Sequence, residues 1–177
     1  EPKIQRILYC YDICQPTYMD MEIIEPKVDF QKGLPDIEKI DSRFNNLIIL
    51  DDLMEKCYKN DAIQNLFTKE SHHHNISVIF ITQNLFMKGK CQRTMSLNSH
   101  YLILFKNPRD RTTISILGSQ MYHGIQGGRQ FLVDAFTDAT QVPHGYLFID
   151  LKQNTNEKER IQTGITQGEW RNIYTFK

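Results

Sequence analysis

The chain has 177 residues, of which 21 are basic, 21 are acidic and 40% are hydrophobic. This length and composition predict one compact domain with its own core and exclude a disordered or collagen-like chain. No apolar run approaches the roughly 18 residues that a membrane span needs, so we expect no membrane partner. Four cysteines, with no stretch typical of a secretory leader, favour an intracellular protein with free thiols.

The first half of the chain alternates between strand and helix patterns. Residues 4–11 are rich in β-branched and aromatic side chains and predict a strand, whereas the polar residues 12–41 predict mostly loop and short helix. The continuous apolar run at residues 46–51 is typical of a strand buried on both faces of a parallel sheet. A helix over residues 54–70 and a strand over 75–82 are predicted next.

The same alternation continues to the end of a core that we place at about residues 4–151, before a polar tail at 152–177. The pattern predicts helices at residues 92–98, 110–121 and 130–139 and strands at 100–106, 145–151 and near 161–165. Strands that alternate with helices of about a dozen residues predict an α/β fold, with a mostly parallel sheet and helices on both faces. No repeat or linker divides residues 1–177, so we expect a single domain.

Charge is segregated along the chain although it sums to zero. Residues 20–61 carry 11 acids and 6 bases, whereas residues 88–111 carry 6 bases and 1 acid. A phosphate-facing rim and an ordinary solvated surface both account for this pattern.

Four apolar residues that run into two carboxylates, Leu47 to Asp52, are the strongest chemical signal. A buried parallel strand delivers its terminal acids to the sheet edge where ligands bind. In phosphoryl-transfer enzymes the first such acid holds Mg²⁺ and the second orients and deprotonates the attacking water, so Asp51 and Asp52 are candidates for these roles. Alternatively, the pair caps the helix that is predicted to begin near Met54.

A second buried strand ends in polar amides, Thr82-Gln83-Asn84. A neutral amide there can hydrogen-bond both an attacking water and a terminal phosphate oxygen, so Gln83 is a candidate phosphate sensor. The same tripeptide is also an ordinary beginning of a loop.

These residues belong to a longer set of segments that resembles a known family. The resemblance is carried by residues 47–52, 66–69, 71–73, 78–86, 89–90, 93–94, 96–98, 100–101, 105–110, 120–122, 138–140, 144–146 and 150–151. Together they are similar to the genome-packaging ATPases of the FtsK/HerA superfamily, particularly those of poxvirus-like viruses and Polinton (Maverick) elements.

The resemblance implies a P-loop NTPase-like fold of the RecA type. It also implies ATP and Mg²⁺ as cofactors, a homo-oligomeric ring expected to be a hexamer, and partners that include double-stranded DNA and a capsid or portal protein. By position, Asp51 matches the Mg²⁺ acid of the Walker B motif, Asp52 the neighbouring catalytic acid and Gln83 the polar sensor. Relatives more often carry Glu where Asp52 stands, and the shorter acid would move the activated water.

Further candidate site residues are basic. They lie between the predicted strands at residues 75–82 and 100–106, and just after the second of these strands. Arg93, with Arg109 in reserve, is the candidate for a guanidinium that completes a neighbouring subunit's site. Lys88 and Lys90 are candidates for salt-sensitive contacts to the DNA backbone. Both arginines could equally be ordinary surface residues.

The sequence departs from the family in one respect, since Gly-x-x-x-x-Gly-Lys-[Ser/Thr] does not occur in the 177 residues. In the family this phosphate loop, with one further strand, lies upstream of the strand at residues 4–11. We therefore expect an N-terminally truncated ATPase domain that binds ATP weakly or not at all on its own. The rival interpretations are a non-catalytic oligomerisation or DNA-binding module, and a helicase or transposition ATPase on the same scaffold.

Overall fold

The computed structural model describes residues 3–23, 25–58, 60, 63, 65–67, 75–85 and 95–176, with the backbone alone at residues 19, 22, 23 and 58. The chain divides into two compact units, Glu1–Asn98 and Ser99–Lys177. Among the described residues, no helix has the length and apolar character needed to cross a lipid bilayer.

The first unit is built on a four-stranded parallel sheet. Its strands are β1 (Arg6–Tyr11), β2 (Val28–Lys32), β3 (Asn46–Asp51) and β4 (Ile76–Ile81), in the order β2-β1-β3-β4. The strands predicted at residues 4–11, 46–51 and 75–82 are thereby confirmed to within two residues, and the α/β class with a parallel sheet holds for this unit.

Strand β2 was not expected, because residues 12–41 were predicted to be mostly loop and short helix. The short helix is present as a 3₁₀ turn at Pro16–Ile23, but Val28–Lys32 pairs in parallel with β1. Residues 28–31 alternate between apolar and polar side chains, but over only four positions and within an otherwise polar segment, so the signal for β2 is weak. The burial of Val28, together with the pairing to β1, accounts for the strand.

Helical structure follows β3 at α1 (Met54–Tyr58), inside the helix predicted at residues 54–70. Residues 63 and 65 are also helical, and so are residues 95–98 within the helix predicted at 92–98. The remainder of both predicted helices lies largely outside the described residues.

The two faces of the first sheet are buried unequally, so the prediction that β3 is buried on both faces holds only in part: its side chains alternate between buried and half-buried, and Ile79 and Ile81 of the neighbouring β4 are exposed. One face packs against an aliphatic core that includes Ile48 and Leu50, both fully buried, together with Leu53 and Cys57 from the segment after β3. The other face carries an aromatic cluster formed by Tyr9, Tyr18, Val28 and the flanking residues Ile7, Tyr11, Met21, Phe30 and Ile49. The two faces hold β3 in register and fix where its terminal carboxylates emerge.

The second unit contains a four-stranded antiparallel sheet and two helices. The strands are β5 (Tyr101–Phe105), β6 (Tyr146–Asp150), β7 (Ile161–Thr163) and β8 (Asn172–Tyr174), in sequential order, and the helices are α2 (Thr112–Met121) and α3 (Gly128–Ala139).

The expectation of a mostly parallel sheet is wrong for this unit, because all three strand pairings are antiparallel. Two helices, not one, separate β5 from β6, so the chain returns to the end of the sheet that it left and β6 runs against β5. Two of the strands lie in residues 152–177, which were predicted to be a polar tail. Strand β7 lies within the strand predicted near residues 161–165, whereas β8 was not predicted. Ile161 of β7 is buried.

Candidate functional site

The candidate site lies at the carboxyl edge of the parallel sheet. The register pairs Asp51, the last residue of β3, with Tyr11 in β1 and with Ile81 in β4. The backbone N–H of Asp52 donates to the carbonyl of Ile81 across 3.4 Å. Asp52 and the residues after Ile81, including Gln83, therefore leave the sheet at the same edge, where ligands bind in parallel sheets.

Asp51 is the acid that the surrounding residues hold in place, because two tyrosines donate hydrogen bonds to it. Its Oδ2 accepts hydrogen bonds from the hydroxyl of Tyr9 at 2.8 Å and from that of Tyr18 at 3.2 Å. Its Oδ1 has no hydrogen-bond partner in the described part of the chain. Burial, followed by the contact with Asp51, raises the pKa of both phenols, so both hydroxyls keep their protons and act as donors.

Asp52 is exposed and adopts a left-handed backbone conformation with φ of 52°. Such a conformation is uncommon for a residue with a Cβ, although Asp tolerates it better than most. Residues held in this region are often found at functional sites. At this point the conformation turns the chain sharply between β3 and α1.

The capping alternative for the two acids finds no support in the contacts. Neither Asp51 nor Asp52 accepts a hydrogen bond from the first turn of α1 among the described residues. The partners of Asp51 are phenols that lie on β1 and on the 3₁₀ turn after it.

Gln83 follows β4 in a tight turn. The hydroxyl of Thr82 accepts from the N–H of Asn84 at 3.3 Å and donates to its carbonyl at 3.1 Å. Gln83 is exposed, and its side chain has no hydrogen-bond partner in the described residues. Its amide is thus able to donate to or accept from a ligand at this edge.

An ion pair that the sequence did not suggest lies at the same edge. Lys56 of α1 pairs with Asp12, which follows β1, and this contact lowers the pKa of Asp12. The pair ties the start of α1 to the end of β1. No spacing rule links residues 44 positions apart, so only the fold could bring them together.

Asp51 and Asp52 meet part of what a magnesium site requires. The described residues contain no group of three or more His, Cys, Asp or Glu side chains able to hold a metal. Mg²⁺ at phosphate-transfer sites usually takes one or two protein carboxylates and fills its other positions with water and phosphate oxygens. The Oδ1 of Asp51, which has no hydrogen-bond partner in the described residues, is one such carboxylate oxygen.

The structure describes only one of the other four predicted site residues. Arg93, Lys88 and Lys90 lie outside the described residues. Arg109 belongs to the second unit, where it is exposed in the turn before α2 and its backbone N–H donates to the side chain of Asn107. Sequence reasoning missed Tyr9 and Tyr18, although the spacing of two between Tyr9 and Tyr11 in β1 already indicated an aromatic sheet face.

Comparison with protein-family models found no match for the chain, and comparisons with curated proteins and with solved structures found none either.

Proposed function

We propose that this chain is the nucleotide-hydrolysing core of a DNA-packaging motor, which uses ATP and Mg²⁺ to drive double-stranded DNA into a capsid. One observation carries the proposal: Asp51 ends one parallel strand and Asp52 follows it, and Gln83 follows the neighbouring strand, at a single sheet edge. The family resemblance of the sequence, from residues 47–52 through 105–110, supplies the link to packaging.

Each residue at the edge has a proposed task. Asp51 would ligate Mg²⁺ through the oxygen that the tyrosines leave open, and Asp52 would orient the attacking water and accept its proton. Gln83 would hydrogen-bond the terminal phosphate and so respond to its loss. Bound Mg²⁺ would neutralise charge on the β and γ phosphates.

A working motor would need further parts besides the residues at this sheet edge. The lysine and backbone N–H groups of a phosphate loop are needed to cradle ATP, and the 177 residues contain no such motif. In a homo-oligomeric ring, proposed to be hexameric, Arg93 or Arg109 would reach the site of a neighbouring subunit. Lys88 and Lys90 would contact the DNA backbone, and a capsid or portal protein would dock the ring.

A non-catalytic oligomerisation or DNA-binding module is the second candidate. The observation that favours it is the same absence of Gly-x-x-x-x-Gly-Lys-[Ser/Thr] from the 177 residues. Such a module would bind duplex DNA or its own copies without hydrolysing ATP.

Duplex-stimulated ATP hydrolysis by the complete gene product that carries this chain tests the proposal. We expect Asp52→Asn to abolish turnover while ATP binding survives, because the amide cannot accept the proton of the attacking water. Asp29→Asn, at an exposed acid in β2, is the matched control and should hydrolyse ATP normally. Undiminished turnover by Asp52→Asn would remove Asp52 from its role, and DNA binding with no turnover in the wild-type protein would favour the module.

A further inference from the structure

Two phenols converge on a single oxygen of Asp51, and they come from different elements. Tyr9 lies on β1, where it pairs with Ile49, so its side chain shares a sheet face with those of Ile49 and Asp51. Tyr18 lies on the 3₁₀ turn Pro16–Ile23. Both hydroxyls donate to Oδ2, at 2.8 and 3.2 Å, and the carbonyl of Ile13 is a second, more distant acceptor for the Tyr18 hydroxyl at 3.4 Å.

The two rings are held firmly in place. Tyr9 and Tyr18 are 5% and 6% exposed, and their ring centroids lie 5.0 Å apart. Phe30 packs against both, with centroid distances of 5.6 and 5.3 Å. Because burial fixes the rings, the two hydroxyls have little freedom to leave the carboxylate.

An apolar cluster on its own would not require hydroxyl groups at both positions. Phenylalanine would fill nearly the same volume and would avoid the cost of burying a polar group. The two hydroxyls instead satisfy one oxygen of an acid that sits at the ligand-binding edge of the sheet. Its other oxygen, Oδ1, remains without a partner in the described residues.

We propose that Tyr9 and Tyr18 are positioning residues that hold Oδ2 of Asp51 so that Oδ1 is presented to a divalent cation. This inference rests on the proposed metal role of Asp51. Two donors on one oxygen restrict rotation of the carboxylate and favour ligation through a single oxygen, which suits the strict octahedral geometry of Mg²⁺. Groups that orient a metal ligand in this way commonly change metal affinity 10–100-fold when they are removed.

Titration of the ¹⁵N-labelled 177-residue chain with Mn²⁺ tests the proposal without nucleotide or turnover. Paramagnetic broadening falls steeply with distance, so broadening of the Asp52 amide signal in NMR spectra reports chiefly Mn²⁺ bound near this edge. The variants are Tyr9→Phe, Tyr18→Phe, the double variant and Asp51→Asn. Tyr11→Phe is the matched control, because Tyr11 packs against Tyr18 at 5.1 Å and its hydroxyl has no partner in the described residues.

We expect the double variant to bind Mn²⁺ about tenfold more weakly than the wild-type chain and each single variant to fall between them. Tyr11→Phe should stay within about twofold of the wild type. Well-dispersed NMR spectra identify the variants that fold. If the double variant does not fold, the Mn²⁺ affinity of either single variant tests the proposal. A merely structural role would lower stability without moving the Mn²⁺ affinity of the folded chain.

Two different failures can be told apart. If Asp51→Asn weakens Mn²⁺ binding but the tyrosine variants bind like the wild type, the positioning role is overturned and the metal role of Asp51 stands. If Asp51→Asn binds Mn²⁺ as well as the wild type does, Asp51 is not a metal ligand, and the proposed function loses its metal site together with the inference.

Discussion

The left-handed conformation of Asp52 predicts an unusual order of stability among substitutions at that position. Asp52 has φ of 52°, is exposed and makes no side-chain hydrogen bond in the described residues, so the backbone conformation dominates the effect. This conformation costs a residue with a Cβ about 1–2 kcal/mol, and Asp and Asn are among the residues that tolerate it. Glycine adopts it without a steric penalty.

We therefore expect Asp52→Ala to lower the free energy of unfolding by about 1 kcal/mol. Asp52→Asn should change it by less than about 0.5 kcal/mol, and Asp52→Gly should be at least as stable as the wild type. Urea unfolding of the chain, followed by circular dichroism, measures all three. At Asp29, in the middle of a strand, the order should reverse, with Gly less stable than Ala. An Asp52→Gly variant that is less stable than Asp52→Ala would refute the reasoning.

Three further predictions concern the core, the thiols and a helix end. Leu50→Ala should lower the free energy of unfolding by about 3 kcal/mol, since Leu50 is fully buried; a loss below about 1 kcal/mol in urea would contradict this packing. A thiol reagent with peptide mapping should modify exposed Cys14 in the native chain but spare Cys10, whose pKa burial raises to about 12, and equal labelling would contradict its burial. Hydrogen bonds from Thr113 and the threonine before it lower the pKa of Asp110 from 3.8 to about 2. The stabilisation they provide is fully present above pH 3.8 and is lost as the pH falls through 2. The melting temperature of Asp110→Asn should therefore lie below the wild-type value at pH 6, and the gap should narrow steadily as the pH falls from 3.8 through 2; a gap unchanged with pH would count against it.

Three strand positions in the first unit could be predicted because short runs of β-branched and other apolar residues leave a strong local signal. Residues 46–51 form a continuous apolar run that ends in acids, and the structure places β3 at those same residues. The positions of Asp51 and Gln83 at one edge follow from parallel pairing alone. Strand β2 carries no comparable signal, since what fixes it is its pairing with β1 and not its own pattern.

Strand direction in the second unit could not be predicted from local patterns. Hydrophobic periodicity predicts β5, α2, α3 and β6. It contains no information on how the two helices pack, and therefore none on the direction in which β6 runs relative to β5. The tyrosine contacts to Asp51 are equally non-local. Tyr9 and Tyr18 lie 42 and 33 residues from that acid, and only the order β2-β1-β3-β4 brings them together.

The proposed function requires that ATP hydrolysis at Asp51 and Asp52 drives movement along duplex DNA. Displacement of a triplex-forming oligonucleotide from intact duplex by the complete gene product measures that movement directly. The account predicts displacement that requires ATP and Mg²⁺, leaves the duplex strands paired, is lost in Asp52→Asn and is retained in Asp29→Asn. Displacement by Asp52→Asn at the wild-type rate, or strand separation in place of triplex displacement, would contradict it.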